Sequence, residues 1–155
     1  MNAPNPMLQS ARALTVFSRV IEYATEDQLE FINLTGPVEQ AVGDSGIRDG
    51  IAIVQSLHAT AALFVNEWQE ALLHDFRALL EQSVPADRPW RHNDPGYSDC
   101  DRGNAAAHLR ALLLGATVTM AVRDGRLVRG VWQNIILAEL DGPRTRSISV
   151  QIMGA

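Results

Sequence analysis

Residues 127–140 carry apolar side chains at both parities of a β-strand. One face of this predicted strand holds Leu127, Val131, Ile135 and Leu137, and the other holds Val128, Trp132, Ile136 and Leu140. Successive side chains of a strand point to opposite faces, so both faces of this strand need cover. In a two-layer domain of 155 residues, many strands leave one face in water. The pattern therefore predicts an oligomer interface that covers part of this strand.

The other strand signals are short apolar runs rich in β-branched and aromatic residues. They predict two strands at 13–23 and 29–34, which we expect to form an opening hairpin. Further strands are predicted at 51–57, 61–65, 116–122, 126–140 and 144–153. Asp124 and Gly125 supply a tight turn between two of them. These runs predict a largely antiparallel sheet.

Two main helices and one short helix complete the prediction. The short helix begins at Thr35-Gly-Pro37 and ends in the turn-rich segment 43–50. Apolar residues at helical spacing predict an amphipathic helix at 68–82 with one buried stripe, formed by Trp68, Leu72, Phe76, Leu79 and Leu80. Asn104 is expected to cap a second main helix, which Gly115 ends. The fold class is therefore α+β.

Composition and charge narrow the class of partner. The chain has a net charge of -5 at pH 7, which argues against nucleic acid and anionic membranes as partners. The start of the sequence has no secretory signal pattern, and no apolar stretch reaches membrane-spanning length. We therefore expect a cytoplasmic single domain over 1–155, with 1–11 as a flexible segment and no organic cofactor. The one cysteine, Cys100, lies in a polar loop and is expected to face solvent as a bystander.

Three histidines are candidates for a common cavity. His58 falls between two strand-like runs and shares side-chain parity with Thr60, so both can project from one strand end. His108 lies on the predicted buried face of its helix, with Ala105, Leu109 and Leu112, and His92 belongs to the long loop 83–103. Three imidazoles with one open position suit a divalent metal, Zn²⁺ or Mg²⁺, with zinc the better match. The alternative is that each is a core histidine with internal partners.

The helix at 68–82 carries two further polar candidates. His74 shares a face with Glu70 and Glu81, away from the apolar stripe, which predicts a solvated surface histidine. Asp75 lies on the flank of that stripe. A carboxylate there needs a cation, a donor or a metal.

The last predicted strand begins with two guanidinium groups. Arg144 and Arg146 share parity with the core-facing residues that follow, so they lie at the edge of the core face and suit a phosphate or carboxylate clamp. On this reading the chain should still fold when Arg146 is replaced. The alternative is a pair of surface salt bridges to Asp141 or Glu139. Gln133 interrupts an apolar face, and a buried amide there requires a partner.

The order and spacing of these polar residues resemble the YjbQ family, described as secondary thiamine-phosphate synthase-like proteins. The resemblance runs from about residue 12 to residue 154 and is carried by His58-Ala-Thr60-Ala61, Asn66-Glu67, His74-Asp75, His92, Gly103-Asn104, His108-Leu109, Gly115, Gly130-Val131-Trp132-Gln133 and Glu139 to Arg144 with Arg146. Two hydroxyls usual in the family are missing, because Ala59 and Val131 stand in place of threonine.

This resemblance implies a compact α+β subunit assembled as a homotrimer, with sites between subunits. It also implies a thiamine-phosphate synthase side activity, which joins a pyrimidine diphosphate to a thiazole phosphate with loss of pyrophosphate. The residues assigned to catalysis are His58, Glu67, Asp75 and His108. Those assigned to the small anionic substrate are Thr60, Asn66, Asn104, Gln133, Arg144 and Arg146, with His58, His92 and His108 as metal ligands.

Three functions follow from these residues. The first is an enzyme-like trimer that acts on a small phosphorylated or anionic substrate. The second is a non-catalytic module that binds a metal or an anion, and this reading gains if the hydroxyls absent at Ala59 and Val131 are catalytic. The third is a purely structural trimer. It would require internal partners for every buried polar side chain.

Overall fold

A computed structural model describes residues 13–155, and the predicted flexible segment 1–11 lies outside this range. The elements within it are β1 (Thr15–Ala24), β2 (Glu30–Asn33), α1 (Thr35–Ser45), β3 (Gly50–Ser56), β4 (Ala61–Asn66), α2 (Glu70–Ser83), a 3-10 turn (Arg91–Asn93), α3 (Ala105–Leu114), β5 (Thr117–Arg123), β6 (Arg126–Leu127), β7 (Asn134–Glu139) and β8 (Thr145–Gly154). The α+β class with three helices is confirmed, but the helix predicted to be short, α1, has 11 residues and is as long as α3, which has 10.

The strands form two antiparallel sheets. The larger has the order β1-β8-β3-β5-β6 and the smaller has the order β2-β7-β4. The predicted opening hairpin is wrong, because β1 pairs with β8 and β2 pairs with β7. Residues 25–29 carry the chain from one sheet to the other. The pairing of β1 with the far end of the chain brings the two ends of the described range together.

The core has two parts, one on each face of the smaller sheet. Between the sheets lie the inward side chains of the larger sheet, the buried face of α1, and residues of the smaller sheet such as Leu63, Ile135 and Leu137. On the other face, α2 and α3 cover the smaller sheet through Leu80, Ala107 and other small apolar residues. The result is a three-layer arrangement with β7 in the middle layer.

The predicted strand at 126–140 is two strands with a turn between them. Val128 to Gln133 leave the sheet, and Val131 is 83% exposed. The turn is closed by Gln133, whose side-chain oxygen accepts the Gly130 N–H at 2.8 Å, and by Arg129, which donates to the Gln133 carbonyl at 2.9 Å. The Gln133 side chain is exposed, so the prediction of a buried amide is wrong. Both faces of β7 are covered by the chain itself, so this strand does not require a second copy.

Helix α2 begins at Glu70, two residues later than predicted. The side chain of Gln69 caps it by accepting the Leu72 N–H at 2.8 Å. Its apolar face packs through Phe76, which meets Phe31 and Phe64 in edge-on contacts with centroids 6.2 and 5.5 Å away. Leu79 is exposed, so the predicted stripe is narrower than the pattern suggested.

Helix α3 is capped by a residue that the sequence did not indicate. The backbone N–H of Ala105 donates to Asn93 Oδ1 at 2.9 Å, and the Asn104 side chain makes no capping bond. The buried face of α3 consists of alanines with Arg110, while Leu112 is 77% exposed. The prediction that Leu112 shares a buried face with His108 is therefore wrong. Because Asn93 supplies the cap, the Asn104 side chain is free to bond Asp141.

Candidate functional site

Seven of the predicted site residues line one pocket of about 670 Å³. It lies where the segments before β4 and β8 meet the start of α3 and the long loop that precedes it. The predicted residues in its wall are His58, Thr60, His92, Asn104, His108, Arg144 and Arg146, and its other lining residues are Ala59, Cys100, Arg102, Asp141, Pro143 and Thr145. The expected convergence of the three histidines on a common cavity is therefore observed.

His58 is held by the backbone of β8. Its Nε2 accepts the Ser147 N–H at 2.8 Å, and the Ser56 hydroxyl accepts the His58 N–H at 3.3 Å. A backbone N–H can only donate, so Nε2 carries no proton and a neutral ring carries it on Nδ1. Burial lowers the pKa of His58 below its ordinary value, and the Arg146 charge acts in the same direction against the opposing charge of Glu139. His58 is thus a neutral imidazole whose Nδ1–H makes no hydrogen bond to another residue within 13–155.

The floor of the pocket is a buried ion pair between Arg146 and Glu139. The two side chains are 2% and 0% exposed, and Arg146 Nε donates to Glu139 Oε2 at 2.6 Å. Arg146 Nη2 donates to Thr60 Oγ1 at 3.1 Å. Glu139 also accepts the Thr25 hydroxyl at 3.0 Å. The sequence-based pairing with Glu139 is correct, but the pair is internal and not a surface salt bridge.

The surroundings of Glu139 keep it ionised. Burial alone would raise its pKa, but the hydrogen bonds from Arg146 and from the Asp141 backbone N–H, with the Arg146 charge, hold the pKa below its ordinary value. The guanidinium of Arg146 is therefore neutralised by its own carboxylate. This leaves Arg144 as the accessible guanidinium of the predicted clamp.

Asp141 connects two walls of the pocket. Its Oδ2 accepts Arg144 Nη2 at 3.1 Å and Asn104 Nδ2 at 2.9 Å. Arg144 Nε also donates to the Asp141 carbonyl at 2.8 Å, while a third of the Arg144 side chain stays exposed. Arg144 is thus oriented by one carboxylate and still has donor capacity toward the pocket.

His92 and His108 form a pair in the wall of the pocket. Their rings meet edge to face with centroids 5.0 Å apart. Across residues 13–155, no group of three His, Cys, Asp or Glu side chains is close enough to hold a metal ion. Nε2 of His58 is also occupied by the Ser147 N–H. The predicted three-histidine metal site therefore does not fit the described part of a single chain.

Four predicted site residues lie outside the pocket. Asn66 and Glu67 are at the opposite end of β4, where the Asn66 side chain accepts the Glu67 N–H at 2.8 Å. Asp75 is exposed on α2, so the prediction that its carboxylate needs a cation, a donor or a metal is wrong. Gln133 lies in the exposed turn before β7. His74 is exposed, as predicted.

The sequence analysis missed several residues of the pocket wall. Cys100 and Arg102 come from the irregular loop before α3, where no periodicity indicates direction. The thiol of Cys100 lies 3.8 Å from Asn104 Oδ1, so the prediction of a solvent-facing bystander is wrong. Asp141 lies two residues after β7, and the sequence analysis considered it only as a surface partner of the arginines.

The fold and site together define a small α+β protein with two antiparallel sheets and a pocket lined by histidines and arginines. The chain belongs to the family described as UPF0047 protein YjbQ-like, whose model matches residues 19–155. The YjbQ family membership predicted from the sequence is thus confirmed, while the thiamine-phosphate synthase activity that the resemblance implies remains a prediction. No helix within residues 13–155 is long and apolar enough to cross a membrane.

Relatives of the chain share most of its length. A UPF0047 protein of Methanothermobacter thermautotrophicus is 40% identical over 141 residues, which cover 91% of this chain and 94% of the relative. A YbjQ-like protein of Sulfolobus solfataricus has a solved structure that is 42% identical, with a TM-score of 0.86 over 92% of this chain and 100% of that one. The solved structure of an Aeropyrum pernix protein is 32% identical, with a TM-score of 0.82 over 90% of this chain and 99% of that one.

Proposed function

We propose that the pocket binds a small phosphorylated or otherwise anionic substrate. The observation that carries this proposal is the local charge. Three arginines line the pocket against one carboxylate, Asp141, although the whole chain has a net charge of -5. Glu139 neutralises Arg146 from behind the wall and Asp141 pairs with Arg144, so an anion is attracted by the charge of Arg102 and by the Arg144 donors that Asp141 does not use. The free N–H of His58 adds a neutral donor.

The reaction we propose is the one that the family resemblance names, thiamine-phosphate synthesis. In it, a pyrimidine diphosphate joins a thiazole phosphate and releases pyrophosphate. Arg144 would hold phosphate oxygens, and donors fixed before the reaction stabilise charge on the departing diphosphate. His108 and His92 line the same pocket, where an imidazole can exchange a proton with the leaving group.

The test of anion binding is calorimetry on an Arg144→Gln variant. We expect phosphate, pyrophosphate and a thiazole phosphate to bind the unmodified protein, and Arg144→Gln to weaken binding by about 1.5–3 kcal/mol through loss of a charged hydrogen bond. Arg123→Gln is the control, because Arg123 is exposed on β5 and does not line the pocket. Equal affinities in both variants would contradict the proposal.

Turnover is tested separately by pyrophosphate release. The protein is incubated with both substrates, and Arg144→Gln should lose the activity in parallel with binding. If anions bind and no pyrophosphate is released, the second candidate function stands. That function is a non-catalytic anion-binding module, and it is favoured by Ala59, which lines the pocket wall without the hydroxyl usual in the family. Val131 lies outside the pocket.

We include a divalent metal in the proposal only if a neighbouring subunit supplies one of its ligands. His92 and His108 can offer two imidazoles, and a third ligand would have to come from another copy. Metal analysis of protein purified without chelators or an affinity tag tests this directly.

The cytoplasmic location and the single-domain organisation remain predictions.

We also propose that the chain is a homotrimer. The outward face of the larger sheet leaves Val16, Val20 and Ile51 exposed, and α3 leaves Leu112 and Leu113 exposed. Exposed apolar patches of this kind mark interaction surfaces. Light scattering in dilute neutral buffer should report about three chain masses. A monodisperse monomer would contradict the proposal.

A further inference from the structure

A second pocket, of about 690 Å³, lies on the other side of the wall formed by Asn104 and Asp141. It lies between α2, α3 and the segment before β2, and its wall includes Leu29, Ala107 and Leu140. These apolar residues belong to the smaller core cluster. The pocket is therefore cut into the layer where the helices pack against the smaller sheet.

Arg110 forms the base of this second pocket. The residue is 8% exposed, and its Nε and Nη2 both donate to the Val84 carbonyl, at 3.2 and 2.9 Å. Within residues 13–155, no carboxylate lies within ion-pair distance of Arg110, and its Nη1 makes no hydrogen bond. One neutral carbonyl thus faces a whole guanidinium charge. Arg146, the other arginine that is buried within the described range, differs because Glu139 pairs with it.

A buried charge without a counter-charge is costly. Burial lowers the pKa of Arg110, and the nearest acidic influence, from Glu81 on the exposed side of α2, opposes this only in part. A guanidinium nevertheless stays protonated in proteins. Because no buried side-chain nitrogen or oxygen within residues 13–155 lacks a hydrogen-bond partner, the unbonded Nη1 is open to the pocket, where an anion can replace the water around it. The fold therefore keeps a largely buried guanidinium with one accessible donor, Nη1, in the wall of the cavity.

The rim of the pocket discriminates between classes of anion. Arg77 and Arg102 lie there, but so do the carboxylates of Asp27, Glu81 and Asp87. A phosphate dianion would meet these acidic groups on entry, whereas a carboxylate carries one charge and fits the planar fork of a guanidinium. The acidic rim also favours a ligand with a cationic group at the end away from its carboxylate.

We propose that this pocket is a second ligand site, which takes a small carboxylate-bearing molecule with its carboxylate on Arg110. The site is separate from the phosphate pocket but shares a wall with it. Arg102, Asn104 and Asp141 line both cavities, and Asp141 bonds Arg144. A ligand that displaces Asn104 from Asp141 would therefore change the orientation of Arg144.

The test uses three four-carbon probes: butyrate, 4-aminobutyrate and butylamine. Each is titrated into isotope-labelled protein, and the Arg110 Nε–H and the Ala107 amide signals are followed. We expect butyrate and 4-aminobutyrate to shift both signals and butylamine to shift neither. The variant is Arg110→Gln, which removes the charge and retains an N–H for the Val84 carbonyl. It should weaken butyrate binding by roughly tenfold to a hundredfold.

The matched control is Arg123→Gln, which changes net charge equally and should bind butyrate as the unmodified protein does. Arg110→Gln should melt no lower than the unmodified protein, because it removes an uncompensated charge. The proposal is overturned if neither carboxylate shifts the two signals, or if Arg110→Gln lowers the melting temperature and leaves butyrate affinity unchanged. Phosphate titration separates the two sites. Phosphate affinity should fall in Arg144→Gln and stay unchanged in Arg110→Gln.

Discussion

Replacing Arg146 with Met is expected to lower the free energy of unfolding by about 3–5 kcal/mol, because it leaves Glu139 charged, buried and without its main partner. Both side chains are almost completely shielded from water, and Arg146 also donates to Thr60 Oγ1. Desolvation of the remaining carboxylate then opposes folding directly. This reverses the sequence-based expectation that the chain tolerates replacement of Arg146.

A double variant separates the contribution of the ion pair to the free energy of unfolding from the destabilisation caused by leaving one charge unpaired. In Arg146→Met with Glu139→Leu, the uncompensated charge is gone, and we expect most of the lost stability to return. The exposed pair of Arg48 and Asp124 is the control, since Arg48→Gln should change stability by about 0–1 kcal/mol. Urea unfolding measures all of these variants. If the single variant lost no more stability than this control, the pair would not hold the floor of the pocket.

The same ion pair illustrates what the sequence could predict. Parity along β8 correctly placed Arg146 with the core-facing residues. The depth of the site was not predictable, because it depends on β7 lying in the middle layer and carrying Glu139 into the core. A charged residue at the end of a strand is predicted to lie at the edge of the core unless the position of the neighbouring sheet is known.

Long-range pairing explains the errors in the fold. Neighbouring strands in sequence usually pair in space, which made a hairpin of β1 and β2 the natural prediction. No local signal in residues 25–29 reveals that the chain changes sheets there. The break after Leu127 was similarly hidden, because Val128, Val131 and Trp132 have the composition of a strand although they lie in an exposed turn.

The convergence of the histidines was more predictable than their roles. His58 and Thr60 share parity at the end of a strand-like run, and His108 lies on a helix that must pack on the sheet. The partner of each ring is set by backbone atoms of distant segments, such as the Ser147 N–H for His58. Backbone partners of this kind cannot be predicted from the sequence. The metal ligation expected of His58 therefore did not take into account that its Nε2 accepts a backbone N–H.

Two replacements of His58 should have opposite effects on stability and on anion binding. Gln carries its terminal amide near the Nε2 position, so the His58→Gln variant would retain an acceptor for the Ser147 N–H and lose the Nδ1–H donor. Asn carries its amide near Nδ1, so in His58→Asn the donor remains and the Ser147 N–H loses its acceptor. We therefore expect His58→Gln to fold normally and bind phosphate more weakly, by about 0.5–1.5 kcal/mol. His58→Asn should bind phosphate and lose about 1–3 kcal/mol of stability.

The dependence of stability on pH distinguishes this account from one in which His58 acts as a cation. The pKa of His58 is lowered in the folded chain, so as the pH falls below about 6.5 the unfolded chain takes up the proton first. The stability contributed by the neutral ring is thus present above that pH and is lost toward acid. His58→Gln should flatten the stability curve between this pH and the lower folded-state pKa. A curve for His58→Gln that stays as steep as that of the unmodified protein would mean that folding does not lower the pKa of His58. A curve that falls more steeply toward acid would mean that folding raises this pKa, so that the ring is charged and its Nδ1–H is not a neutral donor to the anion.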